Sequence, residues 1–252
     1  MLVLGTASSV GMLLLLIFAL LSGEPPLSWV DAGWGVAAGF MGGLGLVALY
    51  RGLAIGSVAV VAPVAAVIGA LVPVLFGIIL EGLPSGTQFS GFMVGISGIW
   101  IVTRASSGAD PAGVENKSTR HGIGLAVIAG FCFGAFFSLL APVSSGQIFY
   151  PLAVGKLVQV GMGAAGILLA HVRRPSERDL RPAFLSGGLD AIANSAFMIA
   201  INLTRLDVAS VLASLYPVGT VILATLVLHE RVSPRQWAGV ALCVAAVALI
   251  AL

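Results

Sequence analysis

Two side chains of opposite charge stand inside otherwise apolar stretches of this 252-residue sequence. Asp190 sits near the middle of Gly187-Gly188-Leu189-Asp190-Ala191-Ile192-Ala193-Asn194, and Asn194, four residues on, shares its face of a helix. Lys156 lies about two turns into a different apolar run, with Gln159 close by on the same side. Ionisable groups in such surroundings are expensive and mark functional sites. Asp190 and Asn194 have the chemistry to hydrogen-bond a substrate amine, and Asp190 could also carry a proton. The plainer reading of both is polar glue between helices. Lys156 also has two readings, an ammonium turned inward toward Asp190 or one that snorkels to the nearer interface. Their depths differ by about 10 Å at 1.5 Å per residue, so a direct pair forms only if Lys156 reaches inward.

Weaker signals surround these. Pro63, Pro73 and Pro217 stand inside apolar runs, and proline frees a backbone carbonyl of the kind that lines sites in broken helices. A simple packing kink is the competing reading. Tyr216 beside Pro217 offers a hydroxyl to a substrate, while Tyr50 falls near the end of its run, where aromatic residues anchor at interfaces. Glu81 and Glu230 close equivalent runs, which suggests a structural role at a turn. His121, His171 and His229 share no spacing, and Cys132 and Cys243 are far apart, so neither a metal site nor a cofactor is expected. No HExxH, GxSxG or paired-aspartate motif is present, which argues against a membrane-embedded enzyme.

The elements that must hold these residues follow from composition. The chain is 59% hydrophobic and 9% charged, against about 45–50% and 25% in soluble domains. Its mean hydropathy is +1.10. These values exclude a soluble globular enzyme, and a net charge of +2 gives no reason to expect nucleic acid as a partner. At about 20 apolar residues per crossing, the sequence reads as nine spans: 2–21, 31–50, 57–80, 88–103, 122–140, 149–171, 183–203, 208–229 and 235–252. Their continuous rather than alternating apolarity excludes a β-barrel. The expected fold is an all-α, polytopic membrane helix bundle. Trp29, Trp34, Trp100, Tyr150 and Trp237 fall near span ends, as an aromatic belt requires. Gly35-x3-Gly39-x3-Gly43, Gly91-x3-Gly95 and Gly130-x3-Gly134 let helices approach closely, either within the chain or in a homodimer.

Residues 105–120 form a polar linker between two halves, 1–104 and 121–252, that resemble each other. Val60–Glu81 and Ala209–Glu230 are both Ala/Val-rich, contain proline and end in Leu-x-Glu or Leu-His-Glu. Each is followed by a turn with Ser and Pro, then Gln88-Phe89-Ser90-Gly91 or Gln236-Trp237-Ala238-Gly239. The repeat carries the third span onto the eighth. Five is odd, so the copies cross the membrane in opposite directions, an inverted repeat of the kind that recurs in transporters. Charge agrees. Arg51, Arg104, Lys117, Arg120, Arg173, Arg174, Arg178, Arg181, Arg231 and Arg235 fall in one set of alternate loops, and only Lys156 and Arg205 belong to the other. The positive-inside rule makes the first set cytoplasmic.

In this order the halves resemble the EamA family of the drug/metabolite transporter superfamily. The resemblance rests on Ala48-Leu49-Tyr50-Arg51-Gly52-Leu53-Ala54, Val61-Ala62-Pro63-Val64 and Val72-Pro73-Val74. In the second half it rests on Leu189-Asp190 with Asn194, Ser214-Leu215-Tyr216-Pro217-Val218, and Glu230-Arg231 before Gln236-Trp237-Ala238-Gly239. It spans nearly the whole chain and implies a ten-helix permease of two five-helix repeats, moving small metabolites by alternating access. One departure stands out: the first half has four spans, and the missing one is the family's first helix. Residues 1–21 lack the basic and cleavage regions of a signal peptide, so the expectation is a start codon set too late, the alternative a truncated paralogue. The expected protein is a multi-pass permease of a bacterial plasma membrane. It carries an amino acid or similar solute, coupled to protons or another gradient, with Asp190, Asn194, Lys156 and Tyr216 as binding residues. The alternative is a non-transporting membrane subunit.

Overall fold

In hydrocarbon every backbone N–H and C=O must find its partner within the segment, so long apolar runs fold as helices. The computed structural model describes residues 2–55, 58–106, 117–170, 177–215, 222, 225–226 and 233–251. Among them are nine helices: α1 (Leu2–Ser22), α2 (Trp29–Ile55), α3 (Val58–Glu81), α4 (Gly86–Ser106), α5 (Lys117–Leu140), α6 (Phe149–Ala170), α7 (Glu177–Leu203), α8 (Leu206–Ser214) and α9 (Pro234–Ala251). No strand occurs among the described residues. Six helices are long and apolar enough to cross a membrane, namely α1, α2, α3, α5, α6 and α7. Helix α4 stands at the expected fourth span, α8 is described as far as Ser214, and α9 carries a shorter apolar stretch, Pro234–Ile250. The all-α, multi-pass reading of the sequence therefore holds.

Local chemistry sets the helix ends. Gly23 and Gly82 follow α1 and α3 with φ of 68° and 81°, the left-handed conformation in which a glycine closes a helix without strain. Prolines follow within three residues and prevent continuation. Helices α4 and α9 start with the same reciprocal cap. Gln88 N–H donates to Ser85 Oγ at 3.2 Å, and Ser85 N–H to Gln88 Oε1 at 3.1 Å. Gln236 N–H donates to Ser233 Oγ at 3.3 Å, and Ser233 N–H to Gln236 Oε1 at 2.7 Å. The duplicated turns of the sequence are thus duplicated structures.

The chain forms two compact units. One contains Met1–Val47 and Ala135–Thr204, the other Ala48–Gly134 and Arg205–Leu252, so each draws helices from both sequence halves. In the first unit α1 packs on α6 and α7. Phe18 meets Phe149 with ring centroids 5.7 Å apart, and Ser8 meets Gln159 farther along, so α1 and α6 run antiparallel. In the second unit α4 packs on α9 and α3 on α8. Gly91 faces Ile250, Gly95 faces Ala246 and Gly98 faces Cys243, again antiparallel. Each of these three pairs joins a helix to its counterpart five spans later. Equivalent helices therefore lie side by side with opposite direction, which is the inverted relation the odd shift required.

The glycine spacings are used within the chain. Gly35 and Gly39 lie against Pro151 and Gly155 of α6, Gly43 against Met162, and Gly130 and Gly134 against Ala65, Ile68 and Val72 of α3. Cys132 and Cys243 are buried free thiols that fill space. Trp29 is fully exposed and Trp100 and Trp237 partly so, as an interfacial belt would have them. Helix α3 runs unbroken through Pro63 and Pro73, and Pro73 is fully buried. The expected break is not made at Pro73. A proline leaves one carbonyl without its helical partner, but here the ring is packed and the chain does not unwind. The side chain of Pro63 lies outside the described residues.

Candidate functional site

The site is built from α6 and α7 of the first unit. On α6, Lys156 and Gln159 are three residues apart and share a face, and they are 7% and 3% exposed. Lys156 Nζ donates to Asp190 Oδ2 on α7 and, at 3.2 Å, to Gln159 Oε1. The same Gln159 oxygen accepts Ser8 Oγ of α1 at 3.1 Å. Of the two readings of Lys156, the inward one is found. Its burial is compensated by a carboxylate and an amide oxygen, as a buried cation requires. Asp190 is only half covered, with 51% of its side chain exposed, so the pair has one closed and one open partner.

Asn194 lies one turn beyond Asp190 and is 9% exposed. It borders a cavity of about 10 Å³, close to the room needed for one water. Lys156, Gln159, Leu152, Phe136 and Gly39 also line it. Phe136 leads into an aromatic file, 5.3 Å from Phe137, which is 4.5 Å from Phe197 (centroid distances). The lining thus brings the Lys156 side chain and the Gln159 and Asn194 amides beside the Phe136 ring, with Asp190 held on Lys156 next to it.

Three of the four residues expected to bind are thus brought together, while Tyr216 and Pro217 lie outside the described residues. The cavity described takes its walls from spans two, five, six and seven.

Two further polar clusters escaped sequence reading. Glu24, just past α1, accepts Ile148 N–H at 2.6 Å and Phe149 N–H at 2.8 Å on Oε1, and Tyr150 N–H at 3.1 Å on Oε2. Pro151 has no N–H, so the first turn of α6 is fully satisfied by a carboxylate from another helix, placed where the dipole favours it. Beside it, Asp31 is 2% exposed and accepts Ser144 N–H at 2.9 Å and Ser28 Oγ at 2.7 Å. In the second unit Glu81, just past α3, accepts Leu206 N–H at 3.1 Å at the start of α8. This bears out a structural role at the turn for Glu81; Glu230 lies outside the described residues. Arg205 forks onto the fully buried Asp207 through Nε at 3.1 Å and Nη2 at 2.8 Å, and donates to the Glu81 and Gly82 carbonyls at 3.2 and 2.8 Å. Asp207 holds the Arg205 guanidinium above its ordinary value, chiefly by hydrogen bonding. The Ser28-x-x-Asp31 spacing carries a capping signal that sequence reading passed over, whereas Glu24 and Asp207 carry none, since their partners lie on other segments or in a side-chain fork.

No His, Cys, Asp or Glu cluster among the described residues could hold a metal. Residues 120–252, just over half of the chain, match the model of the EamA-like transporter family. The chain belongs to the EamA-like transporter family. It is accordingly an integral, multi-pass membrane protein of the transporter type. No curated protein matches this EamA-family chain. A solved crystal structure shares the fold with a TM-score of 0.79 at 16% identity, over 98% of this chain and 85% of the other. At that identity the likeness speaks to fold alone.

Proposed function

We propose that this EamA-family protein is a permease that carries a small zwitterion, an amino acid or a solute of like chemistry, by alternating access. Lys156, Asp190 and Asn194 form its recognition site, with Tyr216 as the fourth residue expected to bind. The observation that supports this most is the Lys156–Asp190 pair itself, a buried ammonium on a carboxylate that is half uncovered. A group that only pinned helices together would be expected to be saturated. A zwitterion suits the pair because its two charges replace, one for one, the charges that the pair's partners give up. A solute with one charge would leave the other partner bare and desolvated, which is costly.

The family's movement of solutes by alternating access requires that the cavity widen, and the small-residue contacts of α2 on α6 are surfaces that can slide. Proton or other gradient coupling would act through Asp190, the uncovered partner. The basic-loop ends belong to the cytoplasmic face of a bacterial plasma membrane in this reading. The Glu24 and Arg205 ends then lie outside.

Purified protein in proteoliposomes tests the site. With a labelled mixture of the twenty amino acids as probe, Asp190→Asn is expected to abolish accumulation while leaving the helical circular dichroism and elution volume unchanged. Unchanged accumulation in that variant would return Asp190 to the packing residues. Absence of any flux in the parent protein would remove the permease reading.

A further inference from the structure

The Lys156 stem is threaded between helices. A Cβ on Gly11 of α1 would lie 3.7 Å from Lys156 Cδ and Cε, so the Lys156 stem runs alongside α1 at this glycine. At the tip, Gln159 Oε1 serves two donors at once, Lys156 Nζ at 3.2 Å and Ser8 Oγ at 3.1 Å. All three side chains are buried, Ser8 and Gln159 at 3% exposed and Lys156 at 7%. On the far side, a Cβ at Gly42 of α2 would stand 2.9 Å from Gln159 Nε2 and 3.1 Å from the Phe136 ring. The missing side chain at residue 42 is therefore what leaves space for the amide. Gln159 is held from α1 by a hydrogen bond and given room by α2, and its oxygen marks one of the two places where the ammonium is received.

A lysine without such contacts has an easier course, since its flexible stem carries the charge to the nearest interface. We propose that Gln159, locked by Ser8 and accommodated by Gly42, is the positioning residue that turns Lys156 inward to Asp190. Helix α1, which carries neither charge, is thereby part of the site. The inference deepens the permease reading and rests on it for its flux readout, but not for its labelling readout.

The chain has two lysines, Lys117 and Lys156, so a Lys117→Arg parent leaves Lys156 as the one side-chain amine. The purified full chain is treated with N-hydroxysulfosuccinimide acetate, a membrane-impermeant acylating reagent, and acetylation of the Lys156 peptide is followed by mass spectrometry. Gln159→Leu is expected to speed acetylation about ten-fold over the parent, the scale of one hydrogen bond to a charged group. Ser8→Ala and Gly42→Ala, which disturb Gln159 without touching Lys156, should fall between. In proteoliposomes with the labelled amino acid mixture, Gln159→Leu should raise KM about ten-fold while the maximal rate stays within about two-fold of the parent, as expected for loss of a binding contact rather than of the moving parts. Equal acetylation rates in parent and variants overturn the proposal, and Ser8→Ala decides the matter if Gln159→Leu does not fold. Separated acetylation rates with no flux in the parent would uphold the positioning role while removing the permease reading.

Discussion

The Arg205 cluster and the Lys156–Asp190 pair, both among the described residues, differ in how much of their bonding capacity is spent. Arg205 uses its fork on Asp207 and its remaining donors on the carbonyls of Glu81 and Gly82, and Asp207 is fully covered. Four of the five guanidinium N–H bonds have an acceptor, and the cluster joins the end of α3 to the start of α8. Lys156 and Asp190 meet through a single donor–acceptor contact, with half of the carboxylate uncovered. The first arrangement is a latch. The second has capacity left for a third party. Saturation, rather than the mere presence of buried charge, separates a structural ion pair from a candidate binding site in one and the same chain.

That contrast can be broken by substitution. The largest stability loss is expected from Arg205→Ala, which strands Asp207 without its cation and should cost about 3–5 kcal/mol. Thermal unfolding in detergent measures it, and a melting temperature within a degree of the parent would show that the latch carries nothing. Because the Arg205 value is raised, its contribution is complete below the ordinary arginine value and fades only as pH climbs past the folded one. No alkaline buffer in ordinary use should therefore open the latch from the arginine side. Glu24→Ala comes next, at about 1–3 kcal/mol for three N–H groups left without their acceptor. Faster hydrogen exchange confined to the first turn of α6 is the sign to look for, and uniform exchange along the helix would contradict it. The smallest stability change is expected of Lys156→Met, within about 1 kcal/mol of the parent, since an apolar stem of similar volume replaces a buried charge whose partner is already half uncovered. Transport should nevertheless be lost. A Lys156→Met protein that unfolds as readily as Arg205→Ala would put both pairs in the same class.

Much of this was readable before any coordinates. Continuous apolar runs fixed the spans, since hydrocarbon permits little else, and the paired turns at Ser85–Gln88 and Ser233–Gln236 foretold identical caps because the capping box is a local, three-residue relation. Lys156 and Asp190 were conspicuous as charges in apolar runs. Whether they met was not readable, because it turns on how α1, α6 and α7 pack, and Ser8, which bonds Gln159, lies on a helix that shows no polar pattern of its own. Glu24 and Asp207 were hidden for a related reason. Near a span end a charge ordinarily needs no explanation, and only the folded chain reveals that its partners are far away in sequence or that it is wholly covered.

The caps made by Glu24 and Glu81 have a consequence for biosynthesis. Their acceptors reach donors 124 to 126 residues later in the first case and 125 later in the second. When α1 and α3 leave the ribosome, the helices they will close have not yet been made, so each carboxylate enters the bilayer's edge alone and waits. The first half of the chain then cannot reach its final packing until the second half arrives, and contacts so distant along the chain form late. Two fragments divided within residues 105–120 should accordingly be unstable when produced singly and should recover one another when produced together.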